Sequence, residues 1–274
     1  MTPPLPASEI EARRQGHAFG HEVRVLESCP TTQAEARALA KEGAPHGALV
    51  VAHRQTQGRG RRGRAWLSAE GGLYFSVVLR PTVDGMAVPV ERLPRIPLLA
   101  AAALLDGLRA LGVDARVKWP NDVLLPVHDD GPLGPFRKVA GILAEPALRE
   151  GRIEAIILGI GVNVRRPAGD FPAEIADIAG ALEDAAPVGD PDEVLLALLD
   201  PLERWLALPD DDARFAACRA LLSERSATLG RMVRVPEEDL CGTAEEIDPE
   251  GALLVRSDDG RLHRVIAGDV LPAG

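Results

Sequence analysis

The segment "QTQGRGRRGRAW" (55–66) sets Gly58, Gly60 and Gly63 among arginines. Five arginines (Arg54, Arg59, Arg61, Arg62 and Arg64) fall within eleven residues, and no acid occurs between Glu42 and Glu70. Guanidinium forks suit phosphate and carboxylate oxygens, so several converging on one site would stabilise charge during phosphoryl or nucleotidyl transfer. The glycines free the backbone to wrap closely around a ligand, and such a loop is expected to be mobile when empty. Three further segments carry matching groups. "KWPND" (118–122) offers Lys118, an aromatic ring, a stiffening proline, then Asn121 and Asp122. Asp122 is suited to hold Mg²⁺ through an oxygen, and Asn121 to bond a phosphate or the metal's water shell. "KVAGILAE" (138–145) begins a strand at Lys138 and has Gly141 where a ligand can approach the backbone. "GIGVN" (159–163) places Asn163 after two glycines. Singly, each has a plainer reading: a solvated hairpin loop, a favourable turn, a solvent-facing lysine, a strand end.

The loop glycines also spell G-x-G-x-x-G, the dinucleotide-binding fingerprint. That fingerprint needs a strand before it and a helix after it. The strand is present, but "RAWLSAEGGLYFSVVLR" (64–80) holds a turn and then another strand. Nucleic-acid binding is disfavoured by the net charge of −10, the single short basic patch and the lack of stacking aromatics beside it. No Ser/His/Asp or Cys/His set suggests an enzyme nucleophile. Cys29, Cys218 and Cys241 are too scattered for a zinc site or a disulfide framework, which points to a reducing, cytosolic compartment. No secretory h-region and no apolar run of about 18 residues is present, so no membrane partner is expected.

These groups must be carried by an α+β fold. "TTQAEARALAKEG" (31–43) has capping hydroxyls and a glycine stop, and reads as a helix. "GALVVAH" (47–53) and "LYFSVVLR" (73–80) read as buried strands. "PLLAAAALLDGLRALG" (97–112) is a core helix with Pro97 at its first position. Strands follow at 115–119 and 122–126, then a hairpin of 138–148 with 152–164 turning at "REG". Helices fit 191–208 and 211–225, the second helped by Asp210, Asp211 and Asp212 at its start. After Gly230 short alternating strands with "SDDG" as a turn indicate a small β-barrel. The expected divisions are a flexible arm over 1–20, a catalytic domain over 21–228 and the barrel over 229–274. Hairpins outnumber βαβ units, so a mixed sheet with packed helices is expected.

In order and separation, "TTQAEA", "QTQGRGRRGRAW", "KWPND", "KVAGILAE" and "GIGVNV" resemble a biotin protein ligase, over roughly residues 20–270. The resemblance implies a catalytic domain like class II aminoacyl-tRNA synthetases, followed by an SH3-like barrel. It implies substrates ATP and biotin with Mg²⁺, and biotinyl-5′-AMP as intermediate. The acceptor would be a lysine on a biotin carboxyl carrier protein. Carried over, Thr31 and Thr32 resemble the hydroxyl pair that meets the biotin ureido group. Gln33 stands where the family commonly has Asn, and Gln55 lies beside the head group. Gly58, Arg59, Gly60 and Arg61 would cover biotin and the adenylate, Arg62 and Arg64 would close the loop around phosphates, and Trp66 would pack near the adenine. Asn121, Asp122 and Asn163 match nucleotide positions, with Asp122 toward Mg²⁺. Lys138 would bind the biotin carboxylate and α-phosphate beside Gly141, with Lys138, Arg61 and Asp122 as the catalytic set.

Two departures from the family pattern stand out. "PVHDDGPLGPFR" (126–137) lengthens a link that is short in the family and is expected to be a surface insertion. The roughly 20 residues before the first motif are too few for the winged helix of family members that double as repressors, so no DNA role is expected. A homodimer is allowed. The alternatives are a lipoate or octanoate protein ligase of the same fold and a non-catalytic nucleotide-binding module.

Overall fold

The computed structural model describes residues 5–273 apart from 81, 84–85, 88–89, 132 and 208–210. Its main sheet contains β1 (Val23–Leu26), β2 (Leu49–Ala52) and β3 (Leu73–Leu79). The short strands β4 (Thr82–Val83) and β5 (Met86–Ala87) form a separate ribbon. The sheet continues with β6 (Arg116–Lys118), β7 (Asp122–Gly131), β8 (Gly134–Arg149) and β9 (Arg152–Val162). The spatial order is β1-β2-β3-β9-β8-β7-β6, with β1 and β2 parallel and the other neighbours antiparallel.

Helices cover both faces, which is why β2 and β3 are buried along their whole length and apolar except for Ser76. One face carries α3 (Arg95–Ala110), with α4 (Pro191–Trp205) and α5 (Asp212–Glu224) packed on it. Leu98 through Leu105 are all buried, as expected of a helix enclosed on every side. This helix starts two residues before Pro97, which sits in the first turn where its missing N–H leaves no bond unmade. On the opposite face, Ala36, Leu39 and Ala40 of α2 (Thr32–Lys41) meet Val50, Val78 and Ile157. That helix lies over β2, β3 and β9 and reaches the outer half of β8, where Gln33 Nε2 donates to Leu143 O and Arg37 Nη1 to Pro146 O. The remainder of that sheet face, over the first half of β8 and over β7 and β6, is left for a site.

The β8–β9 hairpin turns through Glu150 and Gly151, both at positive φ (51° and 77°), the two-residue turn whose twist suits the strands. Residues 126–131 and 134–137 extend the β7–β8 hairpin, with Pro126 opposite Phe136 and Gly131 opposite Gly134. Beyond α5, Ser226 pairs with Val117 at the open edge of β6. The chain then forms an antiparallel sheet of β10 (Met232–Val235), β11 (Leu240–Ile247), β12 (Leu253–Ser257), β13 (Leu262–Val265) and β14 (Leu271–Pro272), in the order β13-β12-β11-β10-β14. Buried Trp119 joins the two sheets, donating Nε1 to Gly251 O at 3.1 Å and its backbone N–H to Thr228 Oγ1 at 3.0 Å.

The expectation of a flexible arm over 1–20 is corrected. Ala7–Arg13 is a helix, α1, and Ile10 and Phe19 are fully buried. Buried Arg14 pairs with Asp200 and with Glu203, the latter at 2.7 Å, both on α4. Those partners lie almost two hundred residues away in sequence, where no local pattern could announce them. The expectations at residues 1–4 and Asp210 lie outside the described residues; Asp211 is the cap of α5, accepting from Arg214 N at 2.5 Å. No helix among the described residues is long and apolar enough to cross a membrane.

Candidate active site

Lys118, Asp122, Gly141, Gly161 and Tyr74 are successive cross-strand partners over β6, β7, β8, β9 and β3. Opposed residues share a face, so this row looks toward the side that α2 leaves partly open. The next row on that face contains Leu143, Gly159 and Ser76. Glycines at 141, 159 and 161 cut a trench into the sheet. A Cβ on Gly161 would lie 2.6 Å from Trp66 Nε1, one on Gly141 2.8 Å from Trp66 Cζ3, and one on Gly159 2.7 Å from Gln33 Nε2. The bare backbone is what lets Trp66 and Gln33 lie against the strands. The trench opens into a cavity of about 540 Å³, within the usual range for small-molecule sites.

Lys138 precedes Gly141 by three residues, so a regular strand would send it to the opposite face. The β7–β8 register slips instead: Val123 opposes Ala140, but Leu124 opposes Lys138. Val139 is thus the extra residue of a bulge, which re-aims Lys138 into the trench. Its Nζ lies 2.7 Å from Asp122 Oδ1 and 5.1 Å from the centre of the Trp66 ring. Asp122 Oδ1 is buried and receives no well-directed hydrogen bond, so the pair is held by charge. Asn163 braces the bulge from below. Its backbone N–H donates to Val139 O at 2.7 Å and its Nδ2 to Gly180 O at 2.9 Å, while Lys138 N donates to Ile178 O at 2.7 Å.

The other end of the trench is polar and uncharged. Gln55 Oε1 accepts from Thr32 N at 2.7 Å and Thr32 Oγ1 at 3.2 Å, and Gln55 Nε2 donates to Ser68 Oγ at 2.8 Å. Ser76 Oγ donates to Thr32 Oγ1 at 2.9 Å. Thr31 Oγ1 caps α2, and Gln33 Nε2 donates to Leu143 O at 2.8 Å. Gln33 Oε1 is buried without any partner, an acceptor left over for a ligand N–H.

The arginine loop forms the roof. It lies between β2 and β3 with no helix after it, which disposes of the dinucleotide reading. Gly60 N donates to Arg64 O at 2.7 Å across a short 3₁₀ turn at Arg61–Gly63. Arg61 Nη1 donates to Asn121 Oδ1 at 2.8 Å, and Asn121 Nδ2 to Ile142 O at 3.0 Å. Arg62 pairs with Glu237, and Arg64 with Asp269 at 2.6 Å.

Residues 25–163 match the biotin/lipoate A/B protein ligase family, and residues 228–271 match the biotin protein ligase C-terminal domain. The chain belongs to the biotin/lipoate A/B protein ligase family. Among members, it is 33% identical to the bifunctional ligase/repressor BirA of Bacillus subtilis, over 97% of this chain and 78% of that protein. It is 38% identical to the biotin–[acetyl-CoA-carboxylase] ligase of Paracoccus denitrificans, over 86% of this chain and 95% of that one. Its fold is similar to the Aquifex aeolicus biotin protein ligase solved with biotin and ATP. The TM-score is 0.73 at 29% identity, covering 91% of this chain and 97% of that one. The mixed sheet with packed helices and the C-terminal antiparallel sheet are as in those ligases.

Within this ligase's cavity lie Thr31, Thr32, Gln33, Gln55, Arg59, Gly60, Arg61, Arg64, Trp66, Asn121, Asp122, Lys138, Gly141 and Asn163, all anticipated from sequence. Gly58 and Arg62 do not line it. A Cβ on Gly58 would meet Ser68 Oγ and Trp66 O, both at 2.4 Å, so that glycine serves the packing of the loop base. Arg62 faces Glu237 instead of the trench. Lys118, noted in the sequence as part of KWPND but given no role there, also lines it, while sequence reasoning missed the apolar wall of Phe171, Ile175 and Ile178, and Asp269 from beside the C-terminal sheet. The wall belongs to an irregular segment without periodicity and gives no sequence signal. Burial lowers the pKa of Arg61 and of Lys118, the penalty of collecting cations in a partly dry cavity. Asp269 is pushed up by burial, but the Arg64 hydrogen bond and the charges of Arg64, Arg62 and Lys118 outweigh this and hold it below the usual carboxylate range.

Proposed function

We propose that this chain activates biotin with ATP and transfers it to a lysine of a biotin carboxyl carrier protein, with the trench as the path of the intermediate. The observation that carries this reading is the order of groups along one sheet face. A neutral hydrogen-bonding pocket leads over a glycine floor to Lys138 and Asp122. That order suits a ureido head, an apolar chain and then a carboxylate meeting a phosphate.

In the first step a biotin carboxylate oxygen attacks the α-phosphorus of ATP. The bond from that phosphorus to the β-phosphate oxygen breaks, and pyrophosphate leaves with the electron pair. In the second, the neutral amine of the carrier lysine attacks the acyl carbon. The acyl–oxygen bond breaks, AMP departs, and the amine proton goes to solvent. No enzyme nucleophile is used; positioning and charge stabilisation supply the acceleration. Thr32, Gln55 and the free Gln33 Oε1 receive the head group. Lys138 bridges the carboxylate and α-phosphate, and Asn163 holds Lys138 through the bulge rather than serving chiefly as a nucleotide contact. Arg61, set by Asn121, covers the adenylate, and Arg59 and Arg64 flank it. Phe171 and Ile175 suit a purine face.

Mg²⁺ fits beside Asp122, whose buried Oδ1 is an anionic oxygen without a directed hydrogen bond. Such an ion supplies neutralisation of phosphate charge. We also read residues 21–228 as synthetase-like and 229–274 as an SH3-like barrel. The net charge of −10 supports an enzyme without a DNA role, and the free cysteines support a cytoplasmic setting. A homodimer is compatible with this reading.

The test is incubation with ATP, Mg²⁺ and a carrier domain, with biotin or lipoate offered in parallel. Biotin-dependent mass gain on the carrier lysine is expected. Modification with lipoate alone, or with neither acid, overturns the proposal.

A further inference from the structure

Lys118 has no part in the roles above, yet it lines the same trench. It stands on β6 as the cross-strand partner of Asp122, one strand further from the head-group pocket than Asp122 itself. The polar and charged groups near it are otherwise engaged. Lys138 is paired with Asp122, Arg61 with Asn121, and Arg64 with Asp269. Among the described residues Lys118 forms no ion pair and no side-chain hydrogen bond. Burial is the largest influence on its ammonium and disfavours the charged form, and the nearby charges of Asp122, Lys138, Asp269 and Arg64 act in opposing directions. An ammonium held in a partly dry cavity without its own counter-ion is costly unless a ligand brings the missing anion.

The anion follows from the geometry of displacement, and this step rests on the adenylate reading. The attacking and leaving oxygens lie roughly in line through the phosphorus. Biotin approaches from the Gln33–Thr32 end, and the α-phosphate sits at Lys138 and Asp122. The leaving group therefore departs away from the head pocket, toward β6. The apolar wall at Phe171 and Ile175 suits a base and is ill suited to four or so negative charges. We infer that Lys118 is a catalytic residue of the first step only, binding the β- and γ-phosphates of ATP and stabilising the departing pyrophosphate. It contributes nothing to transfer, because pyrophosphate is gone by then.

The two half-reactions can be measured separately on the full chain. Biotin-dependent exchange of labelled pyrophosphate into ATP reports the first. Transfer to a carrier domain from supplied, chemically made biotinyl-5′-AMP reports the second. Lys118→Gln removes a charge-assisted contact, so exchange is expected to slow by about 10- to 100-fold, with a raised KM for pyrophosphate. Transfer from supplied adenylate should stay near the wild-type rate, which also certifies the variant's fold. Lys118→Arg, which keeps the charge, should recover much of the exchange. Lys138→Gln should depress both half-reactions. Equal losses in both for Lys118→Gln, unaltered exchange, or no benefit from arginine over glutamine would each overturn the assignment. Absence of biotin-dependent exchange in the wild-type protein would overturn the adenylate reading itself and the assignment with it.

Discussion

Adding one methyl group at Gly161 probes the trench directly. The new Cβ would sit 2.6 Å from Nε1 and 2.7 Å from Cε2 of Trp66, inside the contact distance of a rigid ring. Restoring ordinary separation near 3.5 Å requires the indole to move by about 1 Å. The backbone of Trp66 is tied down by its N–H to Gly58 O at 2.9 Å, so the ring must tilt off the strands into the cavity. In the free protein that direction is open. Overpacking of this kind costs about 1–3 kcal/mol when nothing yields, and here much of it is relieved. The unliganded Gly161→Ala protein should therefore lose only a few degrees, at about 2–4 °C per kcal/mol for a chain of this size. With a ligand in the trench the escape is closed and the cost falls on binding. Affinity for a non-hydrolysable biotinyl-adenylate should weaken by roughly 5- to 150-fold, the equivalent of the same 1–3 kcal/mol. Titration calorimetry, beside thermal melts with and without the ligand, separates the two effects. A lower melting point with unchanged affinity would refute the reasoning, placing Trp66 and Gly161 in ordinary core packing with the ligand elsewhere.

Lys138→Ala should abolish carrier biotinylation while leaving a cooperatively unfolding protein, slightly less stable because Asp122 loses its ion-pair partner; loss of soluble protein would show a structural role instead. The Arg62–Glu237 and Arg64–Asp269 pairs are partly exposed and worth at most about 1 kcal/mol each, and salt screens them. Tryptic cleavage within Arg61–Arg64 should accelerate with ionic strength in the free protein and be suppressed by biotin with ATP, and salt-independent cleavage would contradict the tether. His46 accepts from Arg80 N at 3.1 Å, and burial holds its pKa below the ordinary 6.5. The unfolded chain takes up the proton first, so stability is full above 6.5 and is lost as pH falls through 6.5 toward the folded value. Urea midpoints should drop between about pH 8 and about pH 5.5, and His46→Asn, which retains an acceptor, should flatten that drop.

How much of this was legible before the structure depended on whether the deciding interaction was local. The core helix α3 was legible because its apolar surface runs all round, and the β8–β9 turn because Gly151, free to take a positive φ, interrupts two apolar runs. The site residues were legible as a set because each motif couples a charged or amide side chain to a glycine or proline beside it. Their arrangement was not. Strand alternation puts Lys138 and Gly141 on opposite faces, and only the slipped pairing with β7 unites them. That slip depends on Val123 and Leu124, residues that carry no chemistry of their own. The same holds for the glycines. Those of the arginine loop matched a phosphate-binding pattern that the fold does not build. Gly141, Gly159 and Gly161 match no such pattern, yet their missing side chains make room for Trp66 and Gln33 on the strands. A strand glycine that looks like a weakness in the sheet is, at these three positions, the condition for a ligand to reach the lysine that the bulge presents.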